Sequence, residues 1–144
     1  MHAGETLIHR LFYGFDAGNL YLRLDFIPEV EAPSLDRLTF AVGFLAPSDQ
    51  QVQFTLRDHD YEARRLVNKE GREWQTLAFP GKVAYRDVVE MSLPFAPMGW
   101  NPGDEVHLFV RVLEGETERE RWPVQGYVAV RLPDPDFEAR QWCV

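Results

Sequence analysis

Side-chain chemistry needs a few residue types at workable spacings, and in this chain of 144 residues that set is thin. The four histidines, His2, His9, His59 and His107, and the single cysteine, Cys143, are too scattered for a zinc site, whose ligands come in close pairs. His107 falls on the polar side of a strand pattern and reads as a surface or interface residue. In the triplet Asp58-His59-Asp60, an extended backbone would point the carboxylates one way and the imidazole the other. As a turn, the same triplet would offer calcium two carboxylates where that ion takes about 6–8 oxygens. Aspartate and glutamate total 23, and most lie in turns or in the Glu114–Glu120 run, which reads as a solvated hairpin. Paired-carboxylate catalysis needs two acids facing one another across a cleft with pKa values driven apart. There is no nucleophile elbow, phosphate loop or dinucleotide fingerprint. A cysteine–histidine dyad would have to use Cys143, one residue from the end, where chains fray. These residues point away from catalysis, and neither a cofactor nor a metal is expected.

Aromatic side chains offer different chemistry. A pyranose presents an apolar C–H face that stacks on an indole or phenol ring. Most of the aromatics read as core: Trp100 follows Met98-Gly99 in an apolar segment, Trp122 abuts Pro123, and Trp142 is placed to tie down the C-terminus. Trp74 and Tyr85 sit between polar neighbours on segments read as solvent-facing strands. They are the candidate carbohydrate-binding residues.

The elements that must position such residues are strands. Leu20, Leu22, Leu24 and Phe26 alternate with polar or exposed types, as do Val52, Phe54 and Leu56, and Val106, Leu108, Val110 and Val112. A period of two marks a strand with one face in a core. Further strands are expected near residues 7–15, 38–46, 72–79, 82–86, 87–93, 117–122 and 126–132. Turn sequences separate them at short intervals: Asp16-Ala17-Gly18-Asn19, Ala46-Pro47-Ser48-Asp49, Pro80-Gly81, Asn101-Pro102-Gly103-Asp104 and Glu114-Gly115-Glu116. The ten prolines fall mostly between runs, where no ladder N–H is needed. The expectation is an all-β, two-sheet antiparallel sandwich of immunoglobulin-like or jelly-roll-like architecture, forming a single domain over 1–144. At least eight strands are expected, with Leu22, Leu24, Phe40, Phe54, Val110 and Val128 in one core. The one candidate helical turn is Asp134–Arg140.

Composition sets outer bounds. A hydrophobic content of 45% with 13% aromatics is too apolar for a disordered chain. A formal net charge of −8 argues against nucleic acid and against an anionic membrane surface, both of which select clustered Lys and Arg. No window approaches the roughly 18 consecutive apolar residues of a membrane span. The N-terminal Met-His-Ala-Gly-Glu-Thr lacks the basic stretch and apolar run of a signal peptide, and a lone cysteine makes no disulfide. A cytoplasmic, reduced setting is expected.

Three stretches together carry a family resemblance. Phe12-Tyr13-Gly14-Phe15-Asp16 with Asn19-Leu20-Tyr21-Leu22-Arg23-Leu24-Asp25 resembles the first strands of C-terminal β-sandwich domains attached to family 57 glycoside hydrolases. Those domains are similar to the C-terminal domain of glucodextranase and to family 9 carbohydrate-binding modules. Val89 to Phe95, then Gly99 and Pro102-Gly103-Asp104, resembles a strand, turn and following strand of that group. Arg121-Trp122-Pro123, Gly126-Tyr127 and Phe137-Glu138-Ala139, with Trp142 and Val144, resembles the terminal tail of the family 57 examples. The resemblance implies an accessory domain of α-glucan metabolism, with a possible α-glucan or oligosaccharide as ligand. A family 57 catalytic domain is the other implied partner, and the catalytic carboxylates of that family belong to a separate barrel. The alternative is a scaffold sandwich that packs on a hydrolase subunit without touching sugar. For the matched residues, Gly14 reads as a strand bend or a close approach, Asp16 and Asn19 as a hairpin turn, and Pro94 as a strand end.

Overall fold

This computed structural model describes residues 6–28, 35–57, 60–69, 71 and 73–134. Among the described residues, eleven strands are arranged in two antiparallel sheets. They are β1 (Ile8–Phe15), β2 (Asn19–Phe26), β3 (Leu38–Ala46), β4 (Gln50–Arg57), β5 (Asp60–Lys69), β6 (Glu73–Ala78), β7 (Lys82–Tyr85), β8 (Val88–Pro94), β9 (Glu105–Glu114), β10 (Thr117–Trp122) and β11 (Val128–Arg131). The smaller sheet has the order β1-β2-β8-β7. The larger has seven strands in the order β10-β9-β3-β4-β5-β6, and β11 pairs with β9 beyond β10. No helix among the described residues is long and apolar enough to cross a membrane.

The two-residue period explains which faces meet. Leu20, Leu22 and Leu24 of β2 and Val89, Met91 and Leu93 of β8 point inward from the small sheet, and all six are buried. Phe40, Val42 and Phe44 of β3, Val52, Phe54 and Leu56 of β4, and Val106, Leu108, Val110 and Val112 of β9 meet them from the large sheet. Phe40 and Phe54 pair directly across β3 and β4, and their rings stack at 5.2 Å and 11°. This is the expected sandwich, with Leu22, Leu24, Phe40, Phe54 and Val110 in one core and Val128 half-buried against it.

The expected turns hold. Asp16 N–H donates to Asn19 O at 3.0 Å, and Asp104 N–H to Asn101 O at 3.1 Å. Gly115 takes a φ of 60° between β9 and β10, a left-handed value that favours glycine. Pro94 is the last residue of β8. One strand differs from the expectation: β5 was not foreseen as an element. Its inner face carries Tyr61, Ala63, Arg65 and Val67 opposite Leu56, Phe54, Val52 and Gln50, so a cation interrupts the apolar alternation. The charge is accommodated at the core margin, where Arg65 Nε donates to Gln50 Oε1 at 2.8 Å and the buried Gln50 donates to Met98 O at 2.9 Å. Burial pulls the Arg65 guanidinium below its usual pKa. The expected helical turn, beyond Asp134, lies outside the described residues, as do Asp58, His59, Trp142 and Cys143.

Candidate functional site

The outward face of the small sheet carries a concave surface. Cross-strand register lays two rows over all four strands. One row runs Gly14, Tyr21, Ser92, Lys82; the next runs Phe12, Arg23, Glu90, Ala84. A trough of about 440 Å³ lies over these rows. Its size falls within the roughly 300–1,000 Å³ range of ligand clefts. Alternation sets the orientation: residues beside the buried Leu22 and Met91 point out, so Tyr21, Arg23, Glu90 and Ser92 share one face.

Three aromatic residues, Phe12, Tyr13 and Tyr21, line this trough, and Tyr13 is half exposed. Phe12 is 42% exposed and Tyr21 41%. Arg23 lies over the Phe12 ring at 5.4 Å and is itself forked by Asp25, with Nε to Oδ1 at 2.6 Å and a terminal nitrogen to Oδ2 at 3.1 Å. That hydrogen-bonded pair, followed by the charges of Asp25 and Glu90, holds the guanidinium above its usual pKa. Phe12 and Arg23 thus form a fixed wall, and the part-exposed Tyr21 ring stands beside it on β2. Its hydroxyl donates to Asp16 Oδ2 at 2.6 Å. Asp16 Oδ1 accepts from the N–H groups of Gly18 and Asn19 at 2.9 and 2.8 Å, closing the hairpin turn. With the Tyr21 hydrogen bond first among the causes and the turn amides adding to it, the Asp16 carboxyl falls to a pKa of about 2. The same contact raises the Tyr21 phenol above 10.0.

Of the two roles its sequence context suggested for Gly14, room for a bulky neighbour is not the one it has. A Cβ built there meets nothing within 4 Å, so it accommodates no bulky neighbour and leaves the trough open beside Tyr21.

The two residues singled out from the sequence lie in different sheets. Trp74 is 44% exposed on β6, at the edge of the large sheet. It borders a hollow of about 160 Å³ that Gln51, Phe109 and Arg111 also line. That hollow is partly filled: the Phe109 ring lies across Gly43, and Arg121 covers the ring at 4.4 Å. Tyr85 was expected on a solvent face and is instead buried. It pairs with Val89 on the inner side of β7 and meets Phe26 edge-on at 6.3 Å. The two residues are not brought together, and Tyr85 presents no face to the outside. The charged flank Arg86 had suggested exposure. The useful signal was the pair Val83 and Tyr85, two positions apart and therefore on one side of the strand.

The other expectations for polar residues divide. His107 lies on the outward side of β9, stacked on Tyr127 at 4.1 Å, with Nε2 3.0 Å from Glu105 Oε1. Trp100 is buried against Phe44 and Phe95. The Glu114–Glu120 stretch is a hairpin, but its last residue is not simply solvated. A shift in register after Glu118 turns Glu120 inward, where its carboxylate accepts from Leu7 N–H, Ile8 N–H and Trp122 Nε1–H.

No family model, curated protein or solved structure matches this chain. What the residues define is an antiparallel two-sheet sandwich with an aromatic-lined trough on the outer face of its smaller sheet.

Proposed function

We propose that the protein is a non-catalytic accessory domain of α-glucan metabolism that recognises a glucan in the outer trough of the small sheet. The observation that carries this reading is the register that sets the part-exposed ring of Tyr21 between Gly14 and Ser92, beside the Phe12–Arg23 wall. A hexose fits such a place chemically. Its C–H face stacks on the phenol ring, and its hydroxyls reach Ser92, Glu90 and Lys82, which combine donors with acceptors. The glucan class comes from the resemblance to domains attached to family 57 glycoside hydrolases. Recognition without chemistry is favoured at Asp16, which is held near 2, far from the near-neutral pKa that suits a general acid or base.

The test is calorimetric titration of maltooligosaccharides and glycogen into the parent, Tyr21→Ala and Trp74→Ala. Tyr21→Ala is expected to weaken binding about three- to tenfold, the loss of one aromatic stack. Because stacking and neutral hydroxyls leave no charge to screen, salt should change the affinity little. A loss with Trp74→Ala and none with Tyr21→Ala would move the site to the large sheet. No glycan binding, together with a stable complex with a co-encoded family 57 hydrolase, would replace this reading by the scaffold one. Turnover of a glycan by the domain would overturn both.

A further inference from the structure

The trough differs from a socket for a single sugar in its shape. It is lined from every strand of the small sheet, from Phe12 and Gly14 on β1 to Lys82 and Ala84 on β7. Four strands at a spacing of about 4.8 Å make it roughly 14 Å long across the strands, which matches about three hexose rings end to end. Recognition of a chain end would need a wall that stops the chain. Neither end of the trough has one among the described residues: β1 and β7 are the edge strands of this sheet, a Cβ built on Gly14 meets nothing within 4 Å beyond its chain neighbours, the half-exposed Tyr13 only borders the β1 end, and Lys82 and Ala84 are exposed at the β7 edge. The lining also changes character along its length. Rings dominate at the β1 and β2 end, whereas Ser92, Glu90 and Lys82 supply hydrogen-bonding groups over β8 and β7.

From this we infer that the trough takes an internal stretch of a glucan chain, about three units long and lying across the strands, and does not read a chain end. The inference rests on the proposed glucan reading and adds length, direction and indifference to termini. Successive units meet different surroundings: one stacks on Tyr21, and the next exchange hydrogen bonds with Ser92 and Glu90. Ala84 limits the far end, because a larger side chain there would occupy the last position without touching the ring platform.

The experiment is calorimetry on the whole chain with linear glucans of one to about six units, the three-unit glucan capped at both ends, and a cyclic glucan, which has no ends. Affinity is expected to rise at least tenfold from one unit to about three and to stay flat beyond, following the about 14 Å span. The capped and cyclic ligands should both bind. Ala84→Leu should weaken the three-unit ligand several-fold and leave glucose unaffected. Loss of binding on capping, or equal affinity for one unit and three, overturns the inference while leaving glucan recognition in place. An equal effect of Ala84→Leu on glucose and on the three-unit ligand does the same. Failure of every glucan to bind the parent removes the underlying reading, and this one with it.

Discussion

Glu120 and Ile8 join the two sheets: Glu120 Oε2 on β10 accepts the main-chain N–H of Ile8 at 2.9 Å, where β1 begins. The other carboxylate oxygen takes Leu7 N–H at 2.6 Å, and Trp122 Nε1–H shares Oε2 at 3.0 Å. A carboxylate of the large sheet thus satisfies the first amides of a strand that belongs to the small one. Glu120→Ala leaves these donors without their acceptor and is expected to destabilise the fold by about 1–3 kcal/mol. Glu120→Gln, which keeps one acceptor oxygen, should lose less. Urea denaturation of both variants checks the order, and equal midpoints for parent and Glu120→Ala would refute the role.

Core truncation tests the facing of the sheets. Leu22 from the small sheet and Phe54 from the large one are 4% and 2% exposed in a shared cluster. Either change to alanine should cost about 2–5 kcal/mol. Variants that melt with the parent would place these side chains outside the core.

Gly43 and Phe109 are coupled through space. They are register partners on β3 and β9, and a Cβ at Gly43 would sit 2.4 Å from the Phe109 ring. Gly43→Ala forces the ring away and should destabilise by about 1–3 kcal/mol, as overpacking does. In a Phe109→Leu background the same change should cost markedly less. A double-mutant cycle measures this, and strictly additive effects would mean that the ring does not rest on the glycine.

Acid and base should each release the Asp16–Tyr21 contact. Asp16 has a depressed pKa, so its stabilising contribution is present above its ordinary value of 3.8 and is lost as pH falls from there through about 2. Tyr21 has a raised pKa, so the contact is complete below 10.0 and is lost as pH rises through the higher folded value. An NMR titration of the Asp16 carboxyl should give about 2 in the parent and a clear upward shift in Tyr21→Phe. An unshifted value in that variant would assign the depression to the turn amides alone.

How far these features could be read from the residue string depended on whether they were local. Leu20, Leu22 and Leu24 declare β2 because every second residue is apolar, and Asp16 to Asn19 declares its turn. Strand β5 was hidden because Arg65 occupies an inward position, tolerated only through Gln50, a residue of another strand. The trough was hidden for a related reason. Tyr21 and Ser92 lie 71 positions apart and become neighbours only through the pairing of β2 with β8. Periodicity gives the facing of each strand and says nothing about which strand lies beside it. Tyr85 shows the opposite failing: its inward facing is present in the local alternation with Val83, and the adjacent charge of Arg86 masks it.

The adjacency of β2 and β8 also sets an order in time. During synthesis the β1–β2 hairpin emerges first and holds Phe12 and Tyr21, but the strand that supplies Ser92 and Glu90 follows only after the five strands β3 to β7. The ribosome adds about 5–20 residues each second, so for several seconds the nascent hairpin carries exposed rings with no floor beside them. No fragment that stops short of β8 can hold a trough. Anything captured there would therefore report that strands from both halves of the sequence have closed on one another, and a protease or chaperone that acts earlier meets a chain with the platform and none of the pocket.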